Sequence, residues 1–430
     1  TDITGAPTAT LTAPASGAKA QGSVAVSGTA SATSPATVTA AEFQYKLTSG
    51  STWTSIGTTA TSPYSASWDT TPLTDGSYDL RMISTDSAGN TGASSTRTVT
   101  VDNTAPTGSL TAPVAAANVR GNAVVVSSSS ADAGSGVANA TFQRSPIGAG
   151  TWTTIGAADT TSPYSVTWDT TAVADGQYDL RVVTTDNAGN AFTSSTRTVT
   201  VDNTAPTVSV TFPADTVEYN AAGWAAGCAS TVCGTASDAA PGTVASVTVT
   251  IQRSSDSRYW NGTAGTSASQ WLSSATNLSV TGTSAWNRAF TTASLQNGVT
   301  YTVVATATDG VGLTGTDTNV FDYDTTNPTG SITAPAANAN VRGNAVAVSS
   351  SSADTSPGSV ASALFQRSPI GAGTWTTIGA ADTTSPYSVT WDTTAVADGQ
   401  YDLRVVTTDG AGNPFTSVTV TGTSTTLTST

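Results

Sequence analysis

One block of sequence occurs three times in this chain, and this repetition constrains the fold more than any other feature. TSPYSASWDTTPLTDGSYDLRMISTDSAGN begins at Thr61 and returns in close variants that begin at Thr161 and Thr384. The two later copies overlap two longer stretches, residues 142–186 and 365–409, that are identical. Such self-similarity indicates tandem modules rather than one large core. A catalytic domain is seldom repeated verbatim, whereas a spacer loses nothing by repetition.

The joints between the copies repeat as well. VDNTAPT occurs at Val101 and Val201, DYDTTNPT at Asp322, and a blurred version, TDITGAPT, at Thr1. Each puts a proline before a new alternating run, where its fixed φ stiffens the entry to the first strand. The pattern predicts four modules, at residues 1–102, 103–202, 203–323 and 324–430. Since Thr1 already resembles a joint, a further module is expected before it.

The residues between the joints favour strands over helices. Thr, Ser, Ala, Val and Gly dominate, and no helical period competes with the alternating one. Seven short segments separated by turn residues are typical of a two-sheet Greek-key sandwich. In module 2 the predicted strands are residues 109–111, 123–127, 138–144, 151–155, 164–168, 178–185 and 196–201.

Three aromatic residues recur at equivalent places in modules 1, 2 and 4. Because these modules contain little Leu or Ile, we expect the aromatic rings to fill their cores; an exposed sugar-stacking platform is the alternative. The Tyr of each DGxYDLR run is further expected to tie the preceding turn through its hydroxyl. The residues are Trp53, Trp68 and Tyr78, then Trp152, Trp168 and Tyr178, then Trp375, Trp391 and Tyr401.

The charge pattern excludes one class of partner. The formal net charge is −14, and the arginines occur singly, mostly inside strand-like segments. A polyanion needs clustered basic groups, so nucleic acid is not expected to bind. Acidic character is compatible with a surface protein and with the binding of divalent cations. The alternative is that it only keeps a long rod in solution.

Catalytic and membrane-spanning signals are both missing from the sequence. The chain has no His for general-base work, and it has no GxSxG elbow or Walker-type glycine loop. No stretch approaches the ~20 apolar residues that a membrane helix needs. The sequence therefore predicts a protein that is not an enzyme and that has no membrane insertion within this segment.

The two cysteines, Cys228 and Cys233, are separated by four residues. Two thiols without His supply half of a structural zinc site, so a small disulfide is the favoured interpretation and two free thiols are the alternative. A disulfide indicates an oxidising compartment, which points to a secreted, extracellular or cell-surface protein.

Module 3 differs from the others. It keeps the segment QNGVTYTVVATATDGVG from Gln296 but gains the cysteine insert and additional tryptophans. We expect a specialised surface here, formed by Trp224, Trp260 or Trp271, that binds a glycan or a protein. A rebuilt core with a longer connecting loop is the simpler alternative.

The joint DNTAPT, the runs PYSxxWDTT and DGxYDLRVxxTDxAGN, and YWNG with its tryptophans resemble bacterial immunoglobulin-like (Big-type) repeats. Such repeats occur in large surface proteins and adhesins. The resemblance covers all four modules and implies an all-β chain of four tandem Ig-like or fibronectin-III-like Greek-key β-sandwich domains in an extended rod. Family members are typically stalks that hold a tip away from the cell, and some bind Ca²⁺ between modules.

Sandwich topology would bring aspartates together at the joints. When the strands are lettered A to G, the B–C and F–G loops lie at one pole, and the E–F loop and the end of strand G lie at the other. Ca²⁺ prefers six to eight oxygen ligands, which such a joint can supply, although Asp and Asn are also common turn formers. The predicted sets are Asp69, Asp75, Asp102, Asp132, Asp186 and Asn190 at the first joint, Asp169, Asp175, Asp202, Asp238 and Asp309 at the second, and Asp322, Asp324, Asp354, Asp409 and Asn413 at the third.

The leading functional interpretation is a structural extracellular rod, either a stalk or the repeating subunit of a surface fibre or sheath. Its expected partners are copies of itself, joined end to end or by strand addition, or neighbouring surface proteins. The alternatives are an adhesin whose third module binds a glycan or protein, and an accessory spacer of a secreted polysaccharide-active enzyme.

The segment at residues 418–430 carries a separate hypothesis. It replaces the expected joint with more β-prone, Thr-rich residues. An added strand here could pair with an exposed sheet edge of the next subunit, so deletion of residues 424–430 would abolish polymerisation. A frayed tail is the alternative.

Overall fold

The computed structural model describes residues 5–355 and 357–425, and their regular structure is almost entirely β. The chain divides into two compact units, Thr1–Asn203 and Thr204–Thr430. Each unit contains two sandwiches, and each sandwich has its own hydrophobic core. The prediction of four tandem all-β modules is therefore confirmed.

Module 1 folds into β1 (Thr8–Ala13), β2 (Lys19–Ala20), β3 (Ser23–Ser31), β4 (Val38–Leu47), β5 (Thr54–Thr59), β6 (Tyr64–Asp69), β7 (Gly76–Asp86), β8 (Thr91–Ala93) and β9 (Arg97–Val101). One sheet has the order β1-β3-β6. The other has the order β2-β9-β7-β4-β5, and β8 also pairs with β7. The pairs are antiparallel except β2 with β9, which is parallel.

Module 2 repeats this topology with β10 (Leu110–Ala112), β11 (Asn118–Val119), β12 (Val124–Ser128), β13 (Val137–Pro146), β14 (Thr153–Thr154), β15 (Ser165–Trp168), β16 (Gly176–Asp186), β17 (Ala191–Thr193) and β18 (Arg197–Val201). The seven predicted strands are all present with shifted ends. The sequence did not predict β11 and β17, since these short strands are defined by their pairing with β18 and β16 and have no alternating pattern of their own.

Module 3 folds into β19 (Thr207–Phe212), β20 (Val217–Tyr219), α1 (Ala221–Ala226), β21 (Thr231–Ser237), β22 (Val244–Arg253), β23 (Arg258–Trp260), β24 (Trp271–Leu272), β25 (Leu278–Ser279), β26 (Ala285–Ala289), a 3₁₀ turn (Thr292–Ser294), β27 (Val299–Asp309) and β28 (Thr314–Tyr323). Its sheets have the orders β19-β21-β26 and β20-β28-β27-β22-β23-β24, and β25 pairs with β22.

Module 4 folds into β29 (Ile332–Ala334), β30 (Asn340–Val341), β31 (Val346–Ser350), β32 (Val360–Pro369), β33 (Thr376–Thr377), β34 (Ser388–Trp391), β35 (Gly399–Asp409), β36 (Pro414–Thr416) and β37 (Val420–Ser424). The strand β37 pairs with β35 of its own module, so residues 420–424 of the segment 418–430 form the last strand of module 4. Strand addition to another subunit by this segment stays a prediction. Residues 426–430 of that hypothesis lie outside the described residues.

The cores follow the alternation in the sequence. Along β7, the side chains of Tyr78, Leu80 and Met82 are buried, while the residues between them face outward. In module 2, Trp168 and Tyr178 meet edge to face with their ring centroids 5.7 Å apart, and the Tyr178 hydroxyl donates a 3.0 Å hydrogen bond to the Ala174 carbonyl. The same tie recurs from Tyr78 to Thr74 and from Tyr401 to Ala397.

The expectation that Trp152 fills the core is wrong. Trp152 is only half-buried, and the Arg181 guanidinium stacks on its ring at 4.0 Å. Gln143 fixes the arginine by accepting a 2.8 Å hydrogen bond from its Nε. The equivalent surface stacks are Trp53 on Arg81 and Trp375 on Arg404.

The helix α1 was not expected, because the sequence predicted strands alone. Asn220 caps it by accepting a 2.8 Å hydrogen bond from the Gly223 amide, and Trp224 on its inner side is fully buried. Across the described ranges, neither α1 nor the 3₁₀ turn has the length and hydrophobicity that a membrane-spanning helix requires.

Candidate metal centre

At the first joint, the end of one module meets two loops of the next. Asp102 follows β9, Asp132 lies in the loop between β12 and β13, and Asp186 is the last residue of β16. One carboxylate oxygen from each lies within 4.8 Å of the other two. The sandwich topology that predicted this meeting of strand G with the B–C and F–G loops therefore places these three residues together.

Backbone amides already bind the carboxylates of this first cluster. The Ser135 amide donates to Asp102 Oδ2 at 2.6 Å, and the Gly136 amide donates to Asp132 Oδ2 at 2.7 Å. Asp186 Oδ1 accepts hydrogen bonds from three amides of the turn that follows it. These donors offset part of the repulsion between the three carboxylates.

The third joint holds an equivalent cluster of Asp324, Asp354 and Asp409, again with oxygens within 4.8 Å of one another. Asp324 and Asp409 are each 1% exposed. Here the Oδ2 atoms of Asp324 and Asp354 are buried and receive no hydrogen bond from the described residues. Burial, together with the nearby charges of Asp324 and Asp409, raises the pKa of Asp354.

The two clusters differ because their B–C loops direct the backbone amides differently. The loop of module 4 is one residue longer, ADTSPGSV in place of ADAGSGV. The Gly358 amide, equivalent to that of Ser135, donates to the Thr355 carbonyl at 2.8 Å. The Ser359 amide, equivalent to that of Gly136, donates to Glu218. Neither amide reaches the carboxylates, so two oxygens remain available to a cation.

Gly358 also keeps the space between these carboxylates open. A Cβ built at this position would collide with the Oδ2 atoms of both Asp324 and Asp354. None of Asp324, Asp354 and Asp409 forms a salt bridge with a described basic residue; the salt bridges Lys46–Asp79, Arg253–Asp256 and Arg258–Asp256 lie elsewhere. Carboxylates as hard oxygen ligands, without a basic partner, fit a divalent cation such as Ca²⁺.

Two family profiles match the chain. The bacterial Ig domain family matches residues 7–81, 106–182 and 328–405, and the bacterial Ig-like domain (group 3) family matches residues 62–131 and 162–257. The chain belongs to the bacterial Ig domain family. The resemblance inferred from the joint and the DxAGN run is thus confirmed, and Ig domains of this kind are typically non-catalytic. No curated protein matches the chain significantly.

Several solved structures are similar to this chain of Ig domains. The tetra-tandem repeat in the extending region of a large adhesion protein is 20% identical, with 98% of this chain and 99% of that chain covered and a TM-score of 0.32. The fibronectin(III)-like modules of Clostridium thermocellum CbhA are 23% identical, with 45% and 93% covered and a TM-score of 0.31. A structure from a 1.5-MDa bacterial ice-binding adhesin is 19% identical, with 74% and 99% covered and a TM-score of 0.29.

The other predicted aspartate ligands make hydrogen bonds within their own module or to the linker that follows it. Asp75 accepts a 2.7 Å hydrogen bond from the Asn103 amide and so fastens the linker. Asp175 does the same for the Asn203 amide. Three more serve local structure: Asp69 and Asp169 accept the amides of Thr71 and Thr171, and Asp322 accepts the hydroxyl of Thr300.

Asn190 and Asn413 adjoin the clusters as predicted, but each acts as a donor. The Asn190 Nδ2 group donates to the Asp102 carbonyl and to Asp186 Oδ2, both at 2.8 Å. Asn413 donates in the same way to the Asp324 carbonyl and to Asp409 Oδ2. These side chains connect the preceding Ig domain to the F–G loop of the next.

The predicted set at the second joint is divided between the two compact units. Asp202 follows β18 in the first unit and is buried. In the second unit, Asp238 follows β21 and Asp309 ends β27, where its Oδ1 accepts the amides of Val311 and Leu313. The proximity of Asp202 to the other two stays a prediction from sequence.

The predicted binding surface of module 3 is wrong. Trp224, Trp260 and Trp271 are 0%, 2% and 0% exposed, and each indole nitrogen donates to a backbone carbonyl of the same module. They form a larger aromatic core together with Phe290 and Tyr301. The alternative of a rebuilt core is thus the correct one.

The predicted disulfide is present between Cys228 and Cys233. Cys233 lies on β21, so the bridge ties the segment after α1 to a core strand. Sequence reasoning missed Glu218, which contacts the B–C loop of module 4 at the third joint. Its signal was its rarity, because Glu42 and Glu218 are the only glutamates in the chain.

Proposed function

We propose that this chain is a structural extracellular rod of Ig domains, a stalk or the repeating subunit of a surface fibre, whose joints are stiffened by bound Ca²⁺. Copies of the chain, or neighbouring surface proteins, are its proposed end-to-end partners. The disulfide supports an oxidising, extracellular location, since intracellular thiols are kept reduced.

The observation that carries this proposal is the bonding of the linkers. At the first joint, the Asn103 amide binds Asp75 of module 1, and Thr107 exchanges two backbone hydrogen bonds with Ala131 of module 2. At the third joint, Asn297 accepts the Thr325 amide, and Thr329 exchanges two bonds with Ala353. Linkers held at both ends favour a fixed arrangement of neighbouring modules.

The third joint is the strongest candidate for Ca²⁺. Asp324, Asp354 and Asp409 would supply carboxylate oxygens, and a divalent cation there would compensate three clustered negative charges. A bound cation would link the last strand of module 3 to two loops of module 4. Because these groups belong to different modules, its binding would be coupled to the geometry of the joint.

Calorimetry of the full chain with and without calcium tests the proposal. At a free Ca²⁺ concentration of one hundred times Kd, binding would stabilise the folded joint by about 2.7 kcal/mol, so the Tm of module 4 would rise. The Asp354→Asn variant would lose this rise. Asp392→Asn, which removes one exposed charge from the same module outside the cluster, would keep it.

Negative-stain electron microscopy tests the rod itself. Full-length particles are expected to be elongated, with four modules resolved along their length. A compact particle with merged modules would refute the rod, whereas a chelator that changes neither Tm nor particle straightness would refute only the calcium part of the proposal.

A further inference from the structure

Glu218 of module 3 contacts two loops of module 4. Its carboxylate accepts a 2.5 Å hydrogen bond from the Ser359 hydroxyl and a 3.3 Å bond from the Ser359 amide. Gly410 belongs to the second loop, the F–G loop, and its amide donates a 2.7 Å hydrogen bond to the Ser359 carbonyl of the B–C loop. The carboxylate of Glu218 thus lies against the point where the B–C and F–G loops of module 4 meet.

Gly410 leaves the space that this carboxylate occupies. A Cβ built at position 410 would lie 2.5 Å from Glu218 Oε2 and 2.6 Å from its Cδ. Any larger side chain would therefore displace the carboxylate and break its bonds to Ser359. Since the end of a glutamate is flexible, the cost would fall on these bonds rather than on the fold of module 4.

Module 2 has a different residue at this position. The stretch that is identical in modules 2 and 4 ends at Asp186 and Asp409, and the next residues are Asn187 and Gly410. In module 2 the Asn187 side chain itself binds the B–C loop, donating to the carbonyls of Ser135 and Gly136. Its side chain therefore fills the place that Glu218 fills at the third joint.

Modules 1 and 3, which precede modules 2 and 4, also differ at the position of Glu218. Glu218 lies on β20, opposite Asp322 of β28, and the residue in the same register of module 1 is Lys19, opposite Thr100 of β9. Lys19 donates to the Thr100 hydroxyl of its own module. The position that holds Glu218 in module 3 thus holds a lysine in module 1, and that lysine bonds within its own module.

We infer that Glu218, Ser359 and Gly410 form a selective contact that fits module 4 to module 3 and fixes the orientation of these two modules, and that this contact distinguishes module 4 from module 2 although the two share a long identical stretch of sequence. The chemistry that module 4 recognises is a carboxylate on the short parallel strand of its predecessor. This contact needs no cation, so it can be tested independently of the proposed calcium site.

Distance measurements by pulsed electron resonance on the full chain test the inference. Spin labels are introduced at exposed Ser274 of module 3 and Thr383 of module 4, since the two native cysteines form a disulfide. In the presence of a chelator, Gly410→Asn is expected to broaden the distance distribution about twofold. In a Glu218→Ala background the same substitution is expected to cause almost no further broadening, because the collision needs the carboxylate.

A second pair of variants covers the possibility that Gly410→Asn misfolds. Glu218→Ala and Ser359→Ala remove the hydrogen bond without any collision, and each is expected to broaden the distribution as much as the two together do. Lys19→Ala at the first joint is the matched control and should leave this distance unchanged. Equal widths for wild type and Gly410→Asn, or additive effects of Glu218→Ala and Ser359→Ala, would overturn the inference.

Discussion

Lys46 shows what a single ion pair contributes in a chain with few basic residues. Its Nζ lies 2.9 Å from Asp79 Oδ2, and both side chains are about five-sixths buried, at 16% and 15% exposure. The hydrogen bond from Lys46, with further ones from Thr98 and Thr48, lowers the pKa of Asp79 against the opposing effect of burial. The contact joins two neighbouring strands, β4 and β7, of module 1.

A carboxyl group whose pKa is lower in the folded state stabilises the protein above its unfolded pKa. This stability is lost as the pH falls from the unfolded value of 3.8 through the lower folded value. We therefore expect Lys46→Met to destabilise module 1 at pH 7 by about 1 kcal/mol. The difference from wild type should shrink as the pH falls below 3.8.

Calorimetry of the full chain between pH 2 and pH 7 measures this difference, and the transition that the substitution shifts at pH 7 identifies module 1. Lys19→Met, which removes the other lysine of the chain from an exposed site, is the control. A difference that stays constant down to pH 2 would contradict the assigned role of the pair.

The tryptophans show why residue type alone did not decide burial. Trp168 ends an alternating strand, so its side of the sheet could be predicted, and it is buried as expected. Trp152 precedes the two-residue strand β14 in a loop, where no period indicates a direction, and it stacks on Arg181 at the surface. In module 3, Trp224 lies on a helix of one and a half turns, too short to produce a helical period.

At the scale of elements, the last strand of module 4 departs from the other modules. Val199 and Val201 of β18 are fully buried opposite β16. The same register positions of β37 hold Gly422 and Ser424. Ser424 is fully buried, and its Oγ has no hydrogen-bond partner within the described part of the chain.

Restoring the valines is expected to stabilise module 4. A Cβ at Gly422 would meet only ordinary contacts at 3.6 Å or more. Ser424→Val would replace a buried hydroxyl by the larger apolar side chain that Val201 has at the same register position of β18, and Gly422→Val would fill a core position of the strand. We expect each substitution to add about 1 kcal/mol to the free energy of unfolding, as judged from the Tm of module 4.

Thr423→Val, on the opposite face of the same strand, separates core filling from general β propensity. It is expected to change the stability of module 4 by less than about 0.5 kcal/mol. An equal gain from Thr423→Val would show that the buried positions are not special.

Long strands were predictable from the sequence, and short or irregular elements were not. β16 carries five alternating buried positions, and its repetition in three modules fixes its place in the sheet. β11 consists of two residues paired in parallel with β18, and only tertiary structure makes it a strand. The sequence did not identify β37 as the last strand of module 4, because its Gly and Ser break the apolar pattern that marks its counterparts β9 and β18.

At the scale of the whole molecule, modules 2 and 4 differ in the loops that meet their predecessors as well as in their last strands. Residues 142–186 and 365–409 are identical, so the cores differ only where other strands, such as β18 and β37, contribute to them. Topology allowed the aspartate clusters at these poles to be predicted. The direction of each loop amide could not be predicted, because it depends on one inserted residue and on Glu218 of another module.

Grafting the loop of module 2 into module 4 should therefore transfer its hydrogen bonding. The graft replaces residues 354–359, DTSPGS, by DAGSG. Its backbone amides are expected to donate hydrogen bonds to the carboxylates of the third joint, as the amides of Ser135 and Gly136 donate to Asp102 and Asp132 at the first. A carboxylate that already accepts such bonds gains less from a cation. We expect Ca²⁺ to bind the grafted chain at least about tenfold more weakly, a loss of about 1.4 kcal/mol, as measured by titration calorimetry.

The aspartate count is unchanged by this graft, because each loop contributes one, so a change in affinity would report loop geometry and not charge. The matched control replaces the same six residues by their own sequence with Thr355→Ser, which keeps the loop length and the course of the backbone. If the grafted chain bound Ca²⁺ as tightly as wild type, the free oxygens of Asp324 and Asp354 would not be what selects the third joint. The number of carboxylates at a joint would then be the deciding property, and the first joint would be expected to bind equally well.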